Sequence, residues 1–184
     1  MQRILLLNAS PRRDGTCAEA VYTVKTMLEK ARVLEYSLYD LNPAACIDCG
    51  YCKTNDGCSI KDLDLFFLDF EQADAVLIFS PVYNNFFPGP LKNLLDRFQR
   101  YYAARFFRNR KPPIARPKQV GVFLCSGSDC PQVADYMFET LRQSFTVLNG
   151  RIVSKLYVPS TDTKVQELGG STLARFTAPF VKTP

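Results

Sequence analysis

Apolar residues follow two rhythms along this chain. Residues 3–8 (RILLLN) form a short, nearly continuous apolar run, the pattern of a strand covered on both faces of a parallel sheet. A polar stretch over 9–15 interrupts it. From Thr16, apolar residues recur at Ala20, Val21, Val24, Met27, Leu28 and Ala31, which is the spacing of an amphipathic helix. Residues 33–39 alternate as a second strand, and a cysteine-bearing excursion follows. Asp62 is placed as the N-cap of a short helix carrying Leu63, Phe66, Phe67 and Phe70. Residues 75–80 predict a third strand, and Leu91, Leu94, Leu95 and Phe98 a helix after it. Residues 119–125 predict a fourth strand, with Val133, Met137, Leu141 and Leu148 marking the next helix. Residues 101–118, basic, aromatic and proline-bearing, read as a surface connection. Residues 151–158 are a fifth strand, and the tail holds a last helix and an irregular end rich in Pro, Thr and Lys.

Strands alternating with helices imply parallel pairing through right-handed crossovers, hence a three-layer α/β sandwich. The expected sheet has five strands in the order 2-1-3-4-5. Ligands of such sheets bind beyond the carboxyl ends of the strands, near the switch point between strands 1 and 3. The polar stretches after strands 1, 3 and 4 should therefore meet. The reading is of one domain over 1–184, with a cysteine-rich insertion at about 43–60.

Composition narrows the chemistry. The chain has 184 residues, 47% hydrophobic and 22% charged, with a net charge of +5 and no histidine. Histidine triads, histidine-ligated zinc and histidine acids are thereby excluded, leaving Cys, carboxylates, Tyr, Lys or a cofactor. The charge suits small anionic ligands and is too modest to indicate nucleic acid. No apolar stretch approaches the ~20 residues of a membrane helix, and the first residues lack a signal-peptide pattern. The expected location is the cytoplasm, where clustered cysteines favour metal or redox work over structural disulfides.

Three stretches carry candidate chemistry. Ser10–Cys17 (SPRRDGTC) lies between a strand and a helix N-terminus, where backbone N–H groups and the helix dipole favour an anion. Ser10, Thr16 and Cys17 offer donors there, Arg12 offers charge, and Gly15 permits close approach. It matches neither a dinucleotide fingerprint nor a P-loop, and an ordinary capped turn is the alternative. Residues 80–96 (SPVYNNFFPGPLKNLLD) place Tyr83 and Phe86 beside a possible flat pocket, with backbone amides near 82–84 facing a heteroaromatic edge. Ser126-Gly127-Ser128 puts flexible backbone beside the same place. Cys125 and Cys130 read as buried or incidental thiols. Residues 97–118 could attract a nicotinamide cofactor's phosphates, although a solvated basic face is the commoner reading.

Four of the seven cysteines fall in thirteen residues, Cys46, Cys49, Cys52 and Cys58, spaced C-x2-C-x2-C-x5-C. The first three match the opening ligands of a bacterial ferredoxin run, and cysteine thiolates hold such clusters four at a time. Gly50 and Gly57 let the backbone curl. Zinc and a metal-free loop are the alternatives; structural zinc sites usually pair two separated knuckles.

NASPRRDGTC, SPVYNNFFPGPLKNLLDR and the CSGS loop together resemble the NAD(P)H-dependent FMN reductase branch of the flavodoxin-like proteins. With CIDCGYCKTNDGC after strand 2, the chain looks most like the iron–sulfur flavoprotein subgroup. The resemblance implies an FMN phosphate held by Ser10, Arg12, Thr16 and Cys17. It implies a ring bordered by Pro81, Val82, Tyr83 and Asn84, and a further edge at Ser126 and Gly127. Cys17 stands where the family has Ser or Thr, so its N–H would serve instead of a hydroxyl. Residues 85–87 are bulkier than usual there, which would narrow the substrate space. The resemblance further implies an FMN-dependent oxidoreductase with a 4Fe-4S cluster on Cys46, Cys49, Cys52 and Cys58. Its donor would be NAD(P)H or a redox protein, its acceptor a small molecule or protein, and its assembly a homodimer or homotetramer. A metal-free FMN or quinone reductase and a non-catalytic carrier or sensor are the rival readings. Tyr83 is the one candidate catalytic side chain.

Overall fold

The computed structural model describes residues 1–163 and 168–181. Among them, β1 (Arg3–Asn8), β2 (Arg32–Ser37), β3 (Ala75–Pro81), β4 (Lys118–Cys125) and β5 (Gly150–Val158) make one parallel sheet of order β2-β1-β3-β4-β5. The helices are α1 (Thr16–Met27), α2 (Leu38–Leu41), α3 (Tyr51–Thr54), α4 (Asp64–Gln72), α5 (Gly89–Arg97), α6 (Gln99–Phe106), α7 (Pro131–Val147) and α8 (Gly170–Thr177). This is the flavodoxin-like arrangement expected from the pattern.

Successive strand residues face opposite layers, so each central strand feeds two cores. Leu5, Leu7, Val76, Ile78, Val120 and Val122 pack with Phe66, Phe70, Leu94, Met137, Leu141 and Phe145 on the side of α4, α5 and α7. Ile4, Leu6, Leu77, Phe79 and Phe123 pack with Val21, Val24, Phe176 and Phe180 on the side of α1 and α8. Burial on both faces is why β1 and β3 read as continuous apolar runs. The registers Asn8 to Phe79, Pro81 to Cys125, and Cys125 to Val158 bring the strand ends to one edge.

Some expectations change. The second strand stops at Ser37, whose hydroxyl accepts the Asp40 N–H and starts α2. The supposed surface connection begins as α6, which buries Tyr101, Ala103 and Ala104. Asp62 does not cap α4, which starts two residues later behind Leu63. Its carboxylate instead accepts the Ala44 N–H at 2.8 Å and pairs with Arg97 at 2.9 Å, joining the cysteine segment to α5. The last helix is α8. The Pro-, Thr- and Lys-rich end expected to be irregular lies, at 182–184, outside the described residues. Among the described residues, no helix is long and apolar enough to cross a membrane.

Candidate functional site

The loops after β1, β3, β4 and β5 close around a cavity of about 390 Å³. That size is ordinary for a small-ligand site. Ser10, Arg12, Thr16, Cys17, Pro81, Val82, Tyr83, Ser126 and Gly127, all expected from the sequence, line it together.

Its first wall is the loop before α1 and that helix's first turn, where Ser10, Arg12, Thr16 and Cys17 stand with the carboxylates of Asp14 and Glu19. Asn8 Oδ1 accepts the Ser10 N–H at 3.0 Å, and Ser10 Oγ accepts the Arg12 N–H at 3.2 Å. These two turns set the loop before α1, and leave the Ser10 O–H free to donate. At α1 the N-cap is Gly15, which has no side chain to cap the first turn. The opening N–H groups of the helix thus face the cavity without a capping oxygen, at the positive end of the dipole. A Cβ on Gly15 would come within 3.1 Å of Arg12 Cβ, so the turn's closeness rather than an unusual φ calls for glycine.

The second wall differs from expectation in detail. Val82 N–H donates to the Cys125 carbonyl at 2.8 Å, and Tyr83 N–H to the Phe86 carbonyl at 2.9 Å. Both amides are therefore engaged inside the protein. Tyr83 to Phe86 form a two-residue hairpin, with Asn84 at φ 47 and Asn85 at φ 60, as a type I′ turn requires. Asn84 is on the tip and does not border the cavity. Phe86 also lies outside the cavity lining, in tilted ring contacts with Phe87 and Tyr136. Tyr83 stays half-exposed at the rim, 40% accessible.

The third wall is pinned rather than flexible. Ser126 N–H donates to the Val158 carbonyl, its carbonyl accepts from Thr161, and its hydroxyl meets Ser128 and Tyr157. The Tyr157 hydroxyl also donates to Cys130, and burial pushes its pKa up. Thr161 and Asp162 line the cavity and were missed from sequence. Position alone could have found them, because they follow the fifth strand at the same edge. Asp162 lies so close to Gly127 that a Cβ there would overlap its carboxylate.

Cys46, Cys49, Cys52 and Cys58 surround a second, small pocket with Gly50, Tyr51, Ile60, Arg97 and Gln99. Gly50 at φ 74 and Gly57 at φ 85 turn the chain around it. Among the described residues, no three Cys, Asp or Glu side chains stand close enough to hold a single metal ion. Hydrogen bonds from Ser59 and the Tyr51 N–H hold the Cys49 thiol below its usual pKa, while burial raises that of Cys52. Arg97 is fully buried beside the pocket. Its Nη atoms donate to the carbonyls of Ala44 at 3.1 Å and Ile60 at 2.7 Å. Its Nε–H has no partner among the described residues.

The two pockets share no residue. α5 starts after the β3 loop and ends at Arg97, a span of about 13 Å at 1.5 Å per residue. Of the basic stretch, Arg97 and Lys118 are buried, while Arg110, Lys111 and Arg116 are exposed as a solvated face would be. Arg100 pairs with Glu71, Arg108 and Arg110 with Asp56, and Arg116 with Asp74, while Lys118 binds the Glu71 and Ala73 carbonyls.

Residues 2–163 match the family model described as NADPH-dependent FMN reductase. An iron-sulfur flavoprotein of Methanocaldococcus jannaschii is 28% identical over 148 residues, covering 79% of this chain and 71% of that protein. One from Archaeoglobus fulgidus is 28% identical over 156 residues, covering 81% and 73%. The solved NAD(P)H:quinone oxidoreductase from Methanothermobacter marburgensis superposes with a TM-score of 0.70 at 16% identity, covering 96% of this chain and 92% of the other. That likeness speaks to the fold.

Proposed function

The chain belongs to the NADPH-dependent FMN reductase family and is a flavin-dependent oxidoreductase; from that premise we propose that it binds FMN in the larger cavity, takes electrons from NAD(P)H, and carries a 4Fe-4S cluster on its cysteine run. The observation that carries the FMN assignment is the uncapped N-terminus of α1 meeting Ser10, Arg12 and the β3 and β4 loops in one cavity. The first-turn N–H groups, the Ser10 and Thr16 hydroxyls and the Arg12 guanidinium would hold the phosphate. Pro81, Val82 and Tyr83 would border the ring, facing Ser126 and Gly127. Bound FMN supplies the electron-transfer chemistry. The chain's part is to fix the cofactor, shield one side of it and offer Tyr83 at the open rim. No histidine acid or base is available, and none is required.

The cluster assignment rests on four cysteines lining one pocket, on the names of the relatives, and on Arg97. A four-thiolate cluster is anionic, and Arg97 presents a buried cation with an unpaired N–H at that pocket. A metal-free reductase is the competing reading, favoured by the lack of any three donors at single-ion distance. Iron, sulfide and FMN counts after anaerobic purification decide between them. About four irons and four sulfides with one FMN per chain support the cluster; FMN without iron leaves the plain reductase.

Because the two pockets share no residue, we place the thiol pocket of one chain near the FMN of another in a homodimer or homotetramer. The donor is a nicotinamide and the acceptor a quinone-like or other small molecule. Sedimentation of an iron-loaded, NADPH-reducible monomer would count against the assembly.

A further inference from the structure

Two thiols meet in the floor of the larger cavity. Cys17 Sγ, in the first turn of α1, lies 3.5 Å from Cys125 Sγ, on the last residue of β4. Both are buried, and both line the cavity. They stand 108 residues apart in sequence, so the contact is made by the same packing that closes the site. The roles assigned above use the N–H of Cys17 and the carbonyl of Cys125, but neither sulfur.

We propose that Cys17 and Cys125 are a two-electron modification site, closed to a disulfide by peroxide when the cavity is empty and protected when FMN fills it. A disulfide has S–S near 2.05 Å, so closure needs an approach of roughly 1.5 Å. A helix's first turn and a strand's last residue are places where that shift is small. Hydrogen peroxide takes an electron pair from one sulfur, giving a sulfenic acid and water. The second thiol attacks that sulfur, the S–S bond forms, and the hydroxyl leaves as a second water. An external dithiol reverses the step by exchange.

The hydrogen bond from Cys125, together with burial, holds the Cys17 thiol well above its usual pKa. Oxidation that begins at Cys17 is therefore slow. The bond draws the first turn of α1 toward β4 and so moves the anion-binding N–H groups. Oxidised protein then binds FMN more weakly, and by linkage FMN disfavours the disulfide by the same factor.

The protection arm rests on the FMN assignment, whereas the disulfide itself does not. The test treats reduced, flavin-stripped protein with hydrogen peroxide, alkylates the remaining thiols, and maps tryptic peptides without reductant. The expected product links residues 14–25 to 119–142, with the bond placed at Cys125 by fragmentation. Cys130→Ser should keep the link and Cys125→Ser should lose it. Saturating FMN should slow its formation at least tenfold. Recovery of Cys17 and Cys125 as free thiols after the Cys46–Cys58 run has oxidised overturns the proposal, as does equal formation with FMN bound. FMN failing to bind reduced protein in a fluorescence titration would instead overturn the cofactor assignment, with the link still readable by mapping.

Discussion

Replacing Arg97 with Met should destabilise the protein by about 3–5 kcal/mol, the range for removing one partner of a buried charge network. The guanidinium holds both ends of the cysteine segment to α5: Ala44 and Ile60 through their carbonyls, and Asp62 through its carboxylate. Hydrogen bonds to a buried charge contribute about 1.5–3 kcal/mol each, and two carbonyls lose theirs. Asp62 is 28% exposed and keeps the Ala44 N–H, so its pairing adds little more. Against this stands the desolvation cost of Arg97 itself, raised by its unpaired Nε–H and relieved by Met, which keeps the sum at the lower end. At about 2–4 °C per kcal/mol for a chain of this size, the midpoint should fall by roughly 6–20 °C. Urea unfolding of metal-free protein measures the change, and hydrogen exchange across residues 44–60 shows whether the segment opens first. Arg97→Lys should lose more than half as much, because an ammonium lacks the fork that spans two carbonyls. A change below about 1 kcal/mol for Arg97→Met, with unaltered exchange over 44–60, would refute the clamp.

Three further outcomes follow from the same geometry. Arg12→Ala should weaken FMN about tenfold while leaving riboflavin, which lacks the phosphate, unchanged; equal loss for both in fluorescence titrations would remove Arg12 from the phosphate site. Gly121→Ala should cost about 1–3 kcal/mol by overpacking, since its Cβ would meet Phe180 at 3.0 Å and Phe176 at 3.1 Å; an unchanged urea midpoint would contradict this. Burial, helped by Arg116, lowers the Lys118 pKa from 10.5 to about 8. From pH 8 to 10.5 the unfolded chain therefore holds a proton that the folded one lacks, so stability from this group rises with pH in that window. Lys118→Met should lose that rise in paired urea curves, and parallel pH profiles would refute it.

The fold was legible because its central strands are covered on both faces and its long helices keep a clear apolar stripe. α6 was hidden because Arg100, Arg105 and exposed aromatics such as Tyr102 and Phe106 blur the period, although Tyr101, Ala103 and Ala104 are buried. Asp62 looked like a cap because only local spacing was visible, whereas its partners Ala44 and Arg97 come from distant segments. That the loop before α1 lines the cavity was readable from a local pattern between strand and helix. Asp162 could have been placed there too, because the fifth strand ends at Val158 as its pattern predicts, whereas the Cys17–Cys125 contact joins residues 108 apart. The engagement of the Val82 and Tyr83 amides likewise depends on a partner strand and a tight turn that composition does not reveal.

On this reading the cavity holds FMN in reach of a nicotinamide donor. Anaerobic stopped-flow mixing of the FMN-loaded protein with NADPH, and separately NADH, tests it most directly. The flavin's long-wavelength absorption band should bleach rapidly with at least one of them, and to a smaller extent at limiting FMN when Arg12→Ala lowers the loaded fraction. A fully loaded protein whose band neither nucleotide alters would contradict it.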